Sequence, residues 1–408
     1  MLAVSAAQTV VLGHARSLPA ESAALSPALL GAVLAEEVTS DLDVPPYDKS
    51  MMDGYAVRSA DLVGGRGELT VVEEVLAGQT PRLSVGAGQA TRIMTGAPLP
   101  AGADAVVMVE RTQARDDRVH IDDPSVQPGR NIVTRGREMR CGEVVLRAGA
   151  VVRPQEIGLL ATVGRARASV IPSPRVAVLS TGDEVVEPAE TPGPGQIRNS
   201  NGPMLLAQAA RAGGRMHYLG IARDRLDSLR PLVEMGLQAD VLLLSGGVSA
   251  GKLDLTPGVL QDAGVVARFH KVEMKPGKPV LFGTRDRSGG APPTLVFGLP
   301  GNPVSSFVCF ELFVGPAIRR LRGLPDSDPT ASAVLVEDFT FRTDRPTYHP
   351  ARLEISGDAW RVRAVPWFGS ADLRGLLDMD ALVVFPPGDH RHAAGTRLTV
   401  VRLEDGRL

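Results

Sequence analysis

Cysteine is scarce in this chain: Cys141 and Cys309 are the only two among 408 residues. One lies beside a charged loop and the other inside an apolar segment, without the spacing of a metal-ligand motif. This scarcity excludes a disulfide framework and favours a reducing cytoplasm.

Long apolar runs and an excess of charge of one sign are also missing. No segment approaches the roughly 18 consecutive apolar residues of a membrane span, and no basic stretch followed by a long apolar core opens the sequence. We therefore expect a protein that is neither secreted nor membrane-spanning. The formal net charge of −2 gives no electrostatic case for nucleic acid as the main partner.

Lysine is rare as well. Only five of the 44 lysine and arginine residues are lysine, which leaves 39 arginines. Four of the five, Lys252, Lys271, Lys275 and Lys278, fall between residues 252 and 278. Lysine offers a compact point charge where arginine offers a wide planar fork. The cluster therefore indicates a site that needs the ammonium group.

The length allows about two to four domains. Apolar residues at helical spacing after Ser26 predict a helix there, and from Val44 short β-rich runs are split by glycine and proline turns. A proline-led helix begins at about Arg153, so we interpret the β-rich part as an insertion. The predicted domains are a discontinuous helical or linker domain (1–43 and 143–173), an inserted β domain (44–142), an α/β domain (174–325) and a C-terminal β domain (326–408).

Strand and helix patterns alternate after Pro174, which predicts a parallel sheet with helices on both faces. We expect strands at about 175–179, 217–221, 241–244 and 294–297, with helices at about 201–212 and 226–237. In such sheets ligands gather outside the carboxyl ends of the strands. Four loops should therefore share one rim: STGDEV (180–185), RDRLD (223–227), SGGVSAGKLD (245–254) and GLPGNPVSS (298–306).

The loop GLPGNPVSS joins a buried strand to a helix. Asn302 suits the N-cap, and Pro303 suits the first helical position, where its missing N–H costs nothing. Such a helix start favours an anion, although turn chemistry alone would also explain these residues. Further contacts to an anion could come from KPGKP (275–279), which sets Lys275 and Lys278 three residues apart on a stiffened turn.

Carboxylates in the rim loops favour a magnesium site. Asp183, Glu184, Asp224 and Asp254 stand near glycines that let the backbone approach a ligand closely. A few hard oxygen ligands beside a phosphate suit Mg²⁺. Each carboxylate alone is more often a cap or a solvated charge, so their occurrence in neighbouring loops carries the interpretation.

Six motifs, in this order and spacing, resemble those of the molybdopterin molybdenumtransferases, the MoeA proteins and the matching domain of gephyrin. They are YDKSMMDGYAVR (47–58), RIMTGAPLPAGADAVV (92–107), STGDEV, SGGVSAGKLDLT (245–256), KPGKP and GLPGNPVS (298–305). The resemblance runs from about residue 26 to residue 403. It implies a multidomain α/β plus β fold: an elongated four-domain protein with a central parallel α/β molybdopterin-binding domain, an inserted β domain and a C-terminal β-barrel-like domain.

The resemblance also implies an activity, that of a molybdenum insertase. The enzyme would take adenylylated molybdopterin and molybdate, hydrolyse the adenylate in a Mg²⁺-dependent step, release AMP and leave molybdenum cofactor. It would act as a homodimer whose cleft lies between the α/β domain of one subunit and the inserted domain of the other. A molybdopterin adenylyltransferase is the expected upstream partner, and molybdoenzymes or chaperones are expected downstream.

Site residues follow from the resemblance, motif by motif. The implied catalytic residues are Asp53, Thr95, Glu138, Glu184, Asp224 and Asp254, of which the last three are also the implied metal ligands. Lys275, Lys278 and Ser305 match molybdate contacts, whereas Arg352 and Ser370 match more loosely. The full set expected to bind substrate is Ser180, Gly182, Ser245, Gly246, Gly247, Ser249, Lys275, Lys278, Pro300, Pro303, Ser305, Arg352 and Ser370.

The sequence departs from the family pattern at two places. Residues 136–139 read Gly-Arg-Glu-Met where the family commonly has Gly-Glu-Asp, so Glu138 replaces an aspartate. Lys252 stands in the glycine-rich loop where an acidic residue is often found. Both changes leave the details of metal placement open.

Three other functions fit part of the sequence. A molybdopterin adenylyltransferase shares a similar α/β domain and SGG loop, but the inserted and C-terminal domains argue against it. A scaffold would follow the use that gephyrin makes of the related domain. A generic nucleotide hydrolase is supported only by the sheet and its carboxylates, and would hydrolyse ATP without molybdopterin.

Overall fold

A computed structural model of the chain describes residues 1–247, 255–356 and 359–403. It divides into two compact units. The larger unit comprises Met1–Ala23, Leu30–Ala35 and Ser169–Leu408, and the smaller unit comprises Ala24–Leu29 and Glu36–Ala168. The four-domain division expected from the sequence stays a prediction.

The helices of the described residues lie mainly in the larger unit. They are α1 (Val4–His14), α2 (Pro154–Thr162), α3 (Asn201–Arg211), α4 (Leu226–Gly236), α5 (Thr256–Asp262), α6 (Pro303–Cys309) and α7 (Gly315–Leu321). A π-helical turn, Phe310–Val314, joins α6 to α7.

The described strands are short and numerous. In chain order they are β1 (Glu21–Ala24), β2 (Val33–Leu34), β3 (Val38–Thr39), β4 (Lys49–Ser50), β5 (Gly54–Val57), β6 (Arg66–Val75), β7 (Gln89–Ile93), β8 (Ala105–Met108), β9 (Thr112–Arg115), β10 (Arg118–Asp122), β11 (Ile132–Val133), β12 (Val144–Leu146), β13 (Arg167–Ile171), β14 (Arg175–Thr181), β15 (Val185–Val186), β16 (Ile197–Arg198), β17 (Arg215–Ala222), β18 (Val241–Ser245), β19 (Val266–Phe269), β20 (Leu281–Arg285), β21 (Thr294–Leu299), β22 (Thr330–Leu335), β23 (Phe339–Thr343), β24 (Thr347–Ser356), β25 (Ala359–Ala364), β26 (Ala381–Phe385), β27 (Gly388–His392) and β28 (Arg397–Arg402).

The main sheet of the larger unit has the strand order β17-β14-β18-β21-β20-β19. The four strands expected from the sequence, β14, β17, β18 and β21, are parallel. The sheet also contains two strands that were not predicted from the sequence, β19 and β20, and these run antiparallel at one edge. Short connections without an α-helix join β19, β20 and β21, and such connections suit antiparallel neighbours, whereas parallel neighbours need a crossover.

Alternation of side chains along the parallel strands builds two cores. Val176 and Val178 of β14 face a cluster that includes residues of α1, α3, α6 and α7. Ala177 and Leu179 face the opposite cluster, which includes residues of α4 and α5. Both faces of the sheet are covered, which explains why these strands read as continuous apolar runs.

The C-terminal part of the larger unit is a closed barrel of β22, β25, β24, β26 and β28. A two-stranded ribbon, β23 with β27, accompanies it. The barrel core is aliphatic and aromatic, with Val362, Val383 and Phe385 fully buried. Closure leaves the barrel no open sheet edge.

The smaller unit is built on a six-stranded sheet of order β8-β5-β7-β6-β10-β9. Its buried face includes Tyr55, Val57, Leu69 and Val107.

The helix predicted after Ser26 is wrong. The chain there forms a 3₁₀ turn, Pro27–Leu29, and then the short strands β2 and β3. Gly31 takes a positive φ of 79°, which ends the helical path, and Val33 and Leu34 pair with β13. Pairing between distant segments therefore outweighs the helical spacing of the apolar residues. None of the described helices is long and apolar enough to cross a membrane.

Candidate active site

The loops that follow the parallel strands enclose a cavity of about 520 Å³, here called the rim cavity. These loops meet because parallel strands end at the same edge of the sheet. Nine residues predicted from the sequence line it: Ser180, Gly182, Glu184, Asp224, Ser245, Gly246, Gly247, Pro300 and Pro303. The predicted residues Ser249 and Asp254, and Lys252, lie outside the described residues.

Two asparagines of the rim cavity were missed by the sequence analysis. Asn199 accepts a hydrogen bond from Ser180 Oγ at 3.1 Å and donates to Tyr218 Oη at 2.8 Å. Asn201 donates to Ser245 Oγ at 2.8 Å and to the Gly301 carbonyl at 2.7 Å, so it links two rim loops. Asn201 is the first residue of α3, and two amide residues at a helix start that borders the rim were an available signal.

The acidic loops are held together by backbone contacts. Arg223 Nη1 donates to the carbonyls of Gly182, Asp183 and Val185 at 3.4, 3.0 and 3.0 Å. The Asp224 N–H donates to Asp183 Oδ1 at 3.1 Å. One arginine therefore fixes the loop that carries Asp183 and Glu184 beside the loop that carries Asp224.

These carboxylates influence one another. Desolvation, together with the negative charges of Asp183 and Glu184, raises the pKa of Asp224 above its ordinary value, although its side chain remains largely exposed. The Glu184 carboxylate folds back so closely that a Cβ on Gly182 would lie 2.6 Å from it. A cation placed here would relieve the crowding of negative charge.

A complete metal site is not seen in the described part of the chain. There, no group of three or more His, Cys, Asp or Glu side chains is arranged to share a metal ion. The oxygen donors present, Glu184 and Asp224, are of the type that Mg²⁺ prefers. The third predicted ligand, Asp254, belongs to the residues that are not described.

A second cavity of about 540 Å³, here called the lysine cavity, also borders the loop 298–306. Pro279, Pro300 and Asn302 line both cavities, so the two adjoin. Predicted residues that line the lysine cavity are Lys275, Lys278, Pro300, Ser305 and Ser370. Residues that the sequence analysis missed include Phe341, Arg345 and Trp367.

The backbone fixes the lysine-bearing turn. The Lys275 N–H donates to the Pro346 carbonyl at 2.9 Å, and the Tyr348 N–H donates to the Lys275 carbonyl at 2.8 Å. Gly277 has a φ of 101°, and a Cβ there would lie 2.6 Å from Cys309 Sγ. Glycine is therefore required at this position, both for its conformation and for space.

The helix start is less open to an anion than the sequence predicted. Asn302 occupies the N-cap position of α6, but its side chain makes no capping hydrogen bond and donates instead to Ser370 Oγ at 2.8 Å. The Val304 N–H donates to the Ser370 carbonyl at 3.0 Å, and Pro303 has no N–H. Lysines and hydroxyls, more than helix amides, are therefore the groups that face the lysine cavity.

Asp53 and Thr95 lie together in the smaller unit. Asp53 Oδ1 accepts hydrogen bonds from the N–H and the Oγ1 of Thr95, both at 2.7 Å. These two bonds lower the pKa of Asp53, with the backbone bond the larger cause. Glu138, which the resemblance also placed among the catalytic residues, pairs with Lys49 at 3.4 Å.

Arg352, which was expected to bind substrate, is not brought to either cavity. It lies on β24 opposite Arg363 of β25, and its side chain is exposed.

Comparison with known families gives three matches that together cover most of the chain. A family model described as "MoeA N-terminal region (domain I and II)" matches residues 2–164. One described as "Probable molybdopterin binding domain" matches residues 177–320, and one described as "MoeA C-terminal region (domain IV)" matches residues 332–403.

Individual relatives match over nearly the whole length. The molybdopterin molybdenumtransferase of Staphylococcus aureus strain Mu50 is 34% identical over 400 residues, covering 97% of this chain and 94% of the relative. That of Bacillus subtilis strain 168 is 36% identical over 387 residues, covering 91% and 88%. The solved MoeA structure from Pyrococcus horikosii has a TM-score of 0.78 and 31% identity, covering 99% of this chain and 100% of that one.

The chain belongs to the molybdopterin molybdenumtransferases, the MoeA family. The predicted family, enzyme class and multidomain fold, with its central α/β domain and C-terminal barrel, are confirmed. All the residues that line the rim cavity belong to the segment that matches the molybdopterin-binding domain. The lysine cavity is lined by residues of that match and of the match to the C-terminal region.

Proposed function

We propose that this MoeA protein inserts molybdenum from molybdate into adenylylated molybdopterin, with Mg²⁺-dependent hydrolysis of the adenylate and release of AMP. Family membership supports the insertion reaction. The observation that carries the details is a pair of adjoining cavities with different chemistry, one bordered by carboxylates and the other by lysines. Two substrates could thus lie side by side.

The rim cavity suits the adenylylated pterin. Its lining offers hydroxyls at Ser180 and Ser245 and glycine backbone at Gly246 and Gly247, where a phosphate can approach the chain closely. Its volume of about 520 Å³ falls in the range of small-molecule sites.

Glu184 and Asp224 would hold Mg²⁺ beside the adenylate, with Asp254 completing the set. When bound, Mg²⁺ would neutralise charge on the phosphates that are being separated. The chain itself prepares the metal site. Arg223 positions the loop of Glu184 beside the loop of Asp224 through the carbonyls that it contacts.

The lysine cavity suits molybdate, a tetrahedral dianion. Lys275 and Lys278 supply two positive charges, and Ser305 and Ser370 supply hydroxyl donors. Hydrogen bonds between charged groups and an anion are stronger than neutral ones. Because the cavity adjoins the rim cavity, molybdate held here would be close to a bound pterin.

We further propose a homodimer in which Asp53 and Thr95 of one subunit complete the site of the other. Three large side chains in the same motif, Tyr47, Met51 and Met52, are 40%, 48% and 38% exposed, an apolar surface of the kind that marks an interface. The four-domain division, a cytoplasmic location, an upstream adenylyltransferase and downstream molybdoenzymes or chaperones are parts of the same proposal.

The decisive experiment follows AMP release from adenylylated molybdopterin in the presence of Mg²⁺ and molybdate. We expect release to require both ions and to produce molybdenum cofactor that activates an apo-molybdoenzyme. Omission of either ion and the Glu184→Gln variant are the controls. Hydrolysis of ATP in the absence of molybdopterin would support a nucleotide hydrolase, and adenylylation of molybdopterin by this chain alone would support an adenylyltransferase.

A further inference from the structure

The ammonium group of Lys275 lies over an aromatic ring. Its Nζ is 5.6 Å from the ring centroid of Phe341, and both residues line the lysine cavity. A cation within about 6 Å of a ring centroid is attracted to the electron-rich face of the ring. The two residues come from distant parts of the chain, a loop of the α/β region and strand β23.

Neighbouring rings hold Phe341 in place. Its ring stacks on that of Phe339, with the centroids 6.0 Å apart, and is tilted against that of Phe385, with the centroids 5.7 Å apart. The His349 ring meets it edge-on at 5.6 Å. Packed on three sides, the ring offers a fixed face to the cavity.

The backbone also sets the distance between the two residues. Lys275 exchanges backbone hydrogen bonds with Pro346 and Tyr348, in the segment that follows β23. The backbone of Lys275 is therefore held by hydrogen bonds, and its ammonium group lies over a ring that is itself held by packing.

The charges around Lys275 leave its ammonium group available to an anion. Within the part of the chain that is described, Lys275 forms no ion pair. The Asp344 carboxylate, which also lines the lysine cavity, pairs with Arg345 and interacts with the Lys275 charge only at longer range. A carboxylate partner would orient the ammonium but cancel its charge, whereas a neutral ring orients it and leaves the charge available to an anion.

We propose that Phe341 is a positioning residue that holds the Lys275 ammonium toward an oxyanion in the lysine cavity through a cation–π contact. This inference rests on the proposed function in naming molybdate as the oxyanion. In this role Phe341 acts through Lys275 and not through a contact of its own with substrate.

The test compares molybdate dependence across variants. Phe341→Leu keeps an apolar side chain but removes the ring face, so we expect the KM for molybdate in AMP release to rise about two- to fivefold, with kcat at saturating molybdate nearly unchanged. Phe341→Tyr should restore the wild-type KM. Trp360→Leu removes a ring from the same barrel core, outside the stack of rings around Phe341, and should leave the KM unchanged.

A double mutant separates positioning from general damage. In a Lys275→Met background, Phe341→Leu should add nothing to the rise in KM, because the ring has no ammonium to hold. Additive effects in the double mutant, or an equal KM rise in Trp360→Leu, would overturn the inference.

NMR can detect the contact between Lys275 and Phe341 in the wild-type protein itself. With ¹³C-labelled lysine the spectrum has only five ε-methylene signals, because the chain has only five lysines. The signal that disappears in Lys275→Arg should show an upfield ring-current shift in the wild-type protein, and a random-coil position would contradict the proposal.

Direct binding of molybdate, measured by calorimetry without the pterin, separates this inference from the proposed function. If the wild-type protein binds molybdate but releases no AMP, the proposed function fails, and two- to fivefold weaker binding by Phe341→Leu still supports positioning. If the wild-type protein binds no molybdate, or Phe341→Leu binds it equally well, the inference fails.

Discussion

At the scale of single residues, the scarcity of lysine was informative. Lys275 and Lys278, two members of the predicted cluster, line the same cavity, while Lys271 is exposed and lines neither cavity. A chain that uses 39 arginines has kept lysine where two cationic side chains converge.

Replacement of Lys275 or Lys278 by arginine should be nearly as damaging as replacement by alanine. The guanidinium fork is wider and places its charge differently from an ammonium. Loss of one charge-assisted contact to a dianion costs about 1.5 to 3 kcal/mol, or very roughly ten- to a hundredfold in molybdate dependence. AMP release measured at low and high molybdate shows the shift. Lys271→Arg is the matched control, and wild-type molybdate dependence in both active-site arginine variants would refute the point-charge interpretation.

Thr95→Val should raise the pKa of Asp53. The variant removes the Oγ1 hydrogen bond but keeps the Thr95 backbone bond, which is the larger cause of the lowered pKa, so we expect a partial return toward 3.8. The carboxylate titrates below neutrality in either case, so the activity at pH 7 should not change through ionisation. Carboxyl ¹³C shifts followed against pH give the measurement. Thr112→Val is the control, since Thr112 Oγ1 donates to the Val109 carbonyl and not to Asp53.

At the scale of elements, the sequence predicted those strands that can be identified from their own apolar residues, without knowledge of their partners. The apolar runs of β14, β18 and β21 and the polar loops after them identified the rim. What failed depends on pairing between distant segments, as at Val33 and Leu34, where β13 outweighs helical spacing. Phe341 and Arg345 were missed for the same reason, because no local pattern in a β-rich domain shows that they will line the same cavity as Lys275.

The main sheet depends on Asp240, which precedes β18. Its carboxylate accepts from the Arg175 N–H and from Arg287 Nη1, both at 2.7 Å. Burial works to raise the pKa of Asp240, but these hydrogen bonds and those of the Arg175 guanidinium outweigh it and lower the pKa.

Asp240→Ala should therefore destabilise the protein by about 3 kcal/mol, because it removes the acceptor of the Arg175 N–H and the only carboxylate paired with the mostly buried Arg287 guanidinium among the described residues. Asp262→Ala, which breaks the exposed pair with Arg230, should cost about 1 kcal/mol or less. Urea unfolding compares the two variants, and equal losses would show that the Asp240 network contributes no more than a surface ion pair.

The barrel should lose stability in mild acid because of His349. Burial lowers the pKa of this ring below its ordinary value of 6.5, against a smaller opposite effect of its hydrogen bond to the Pro350 carbonyl. Below pH 6.5 the unfolded state therefore binds more protons at His349 than the folded state does. The contribution of neutral His349 to the free energy of unfolding is complete above that pH and is lost as the pH falls through the pKa of the folded state.

Thermal unfolding of His349→Gln should show a shallower dependence on pH between neutrality and mild acid than the wild-type protein. His217→Gln removes an exposed ring and serves as the control. If both variants keep the wild-type slope, His349 is not the group responsible.

At the scale of the whole molecule, the predicted site residues are divided between the two units. Glu184 and Asp224 belong to the larger unit, and Asp53 and Thr95 belong to the smaller unit. The proposed homodimer explains this division, since each active site would draw one set of residues from each subunit. Such a site makes a prediction that single variants cannot test.

Two inactive chains should therefore restore activity to each other. A homodimer of Asp53→Ala chains would lack Asp53 in both sites, and a homodimer of Glu184→Gln chains would lack Glu184 in both. A mixed dimer carries both defects in one site and neither in the other, so an equal mixture at random exchange should regain about a quarter of wild-type AMP release, since half of the dimers are mixed and each has one intact site. Mixing Glu184→Gln with Asp224→Ala is the control, because both defects lie in the larger unit and no mixed site is intact. Full activity of a protein shown to be monomeric by sedimentation, or no recovery in a mixture shown to contain mixed dimers, would rule out the shared site.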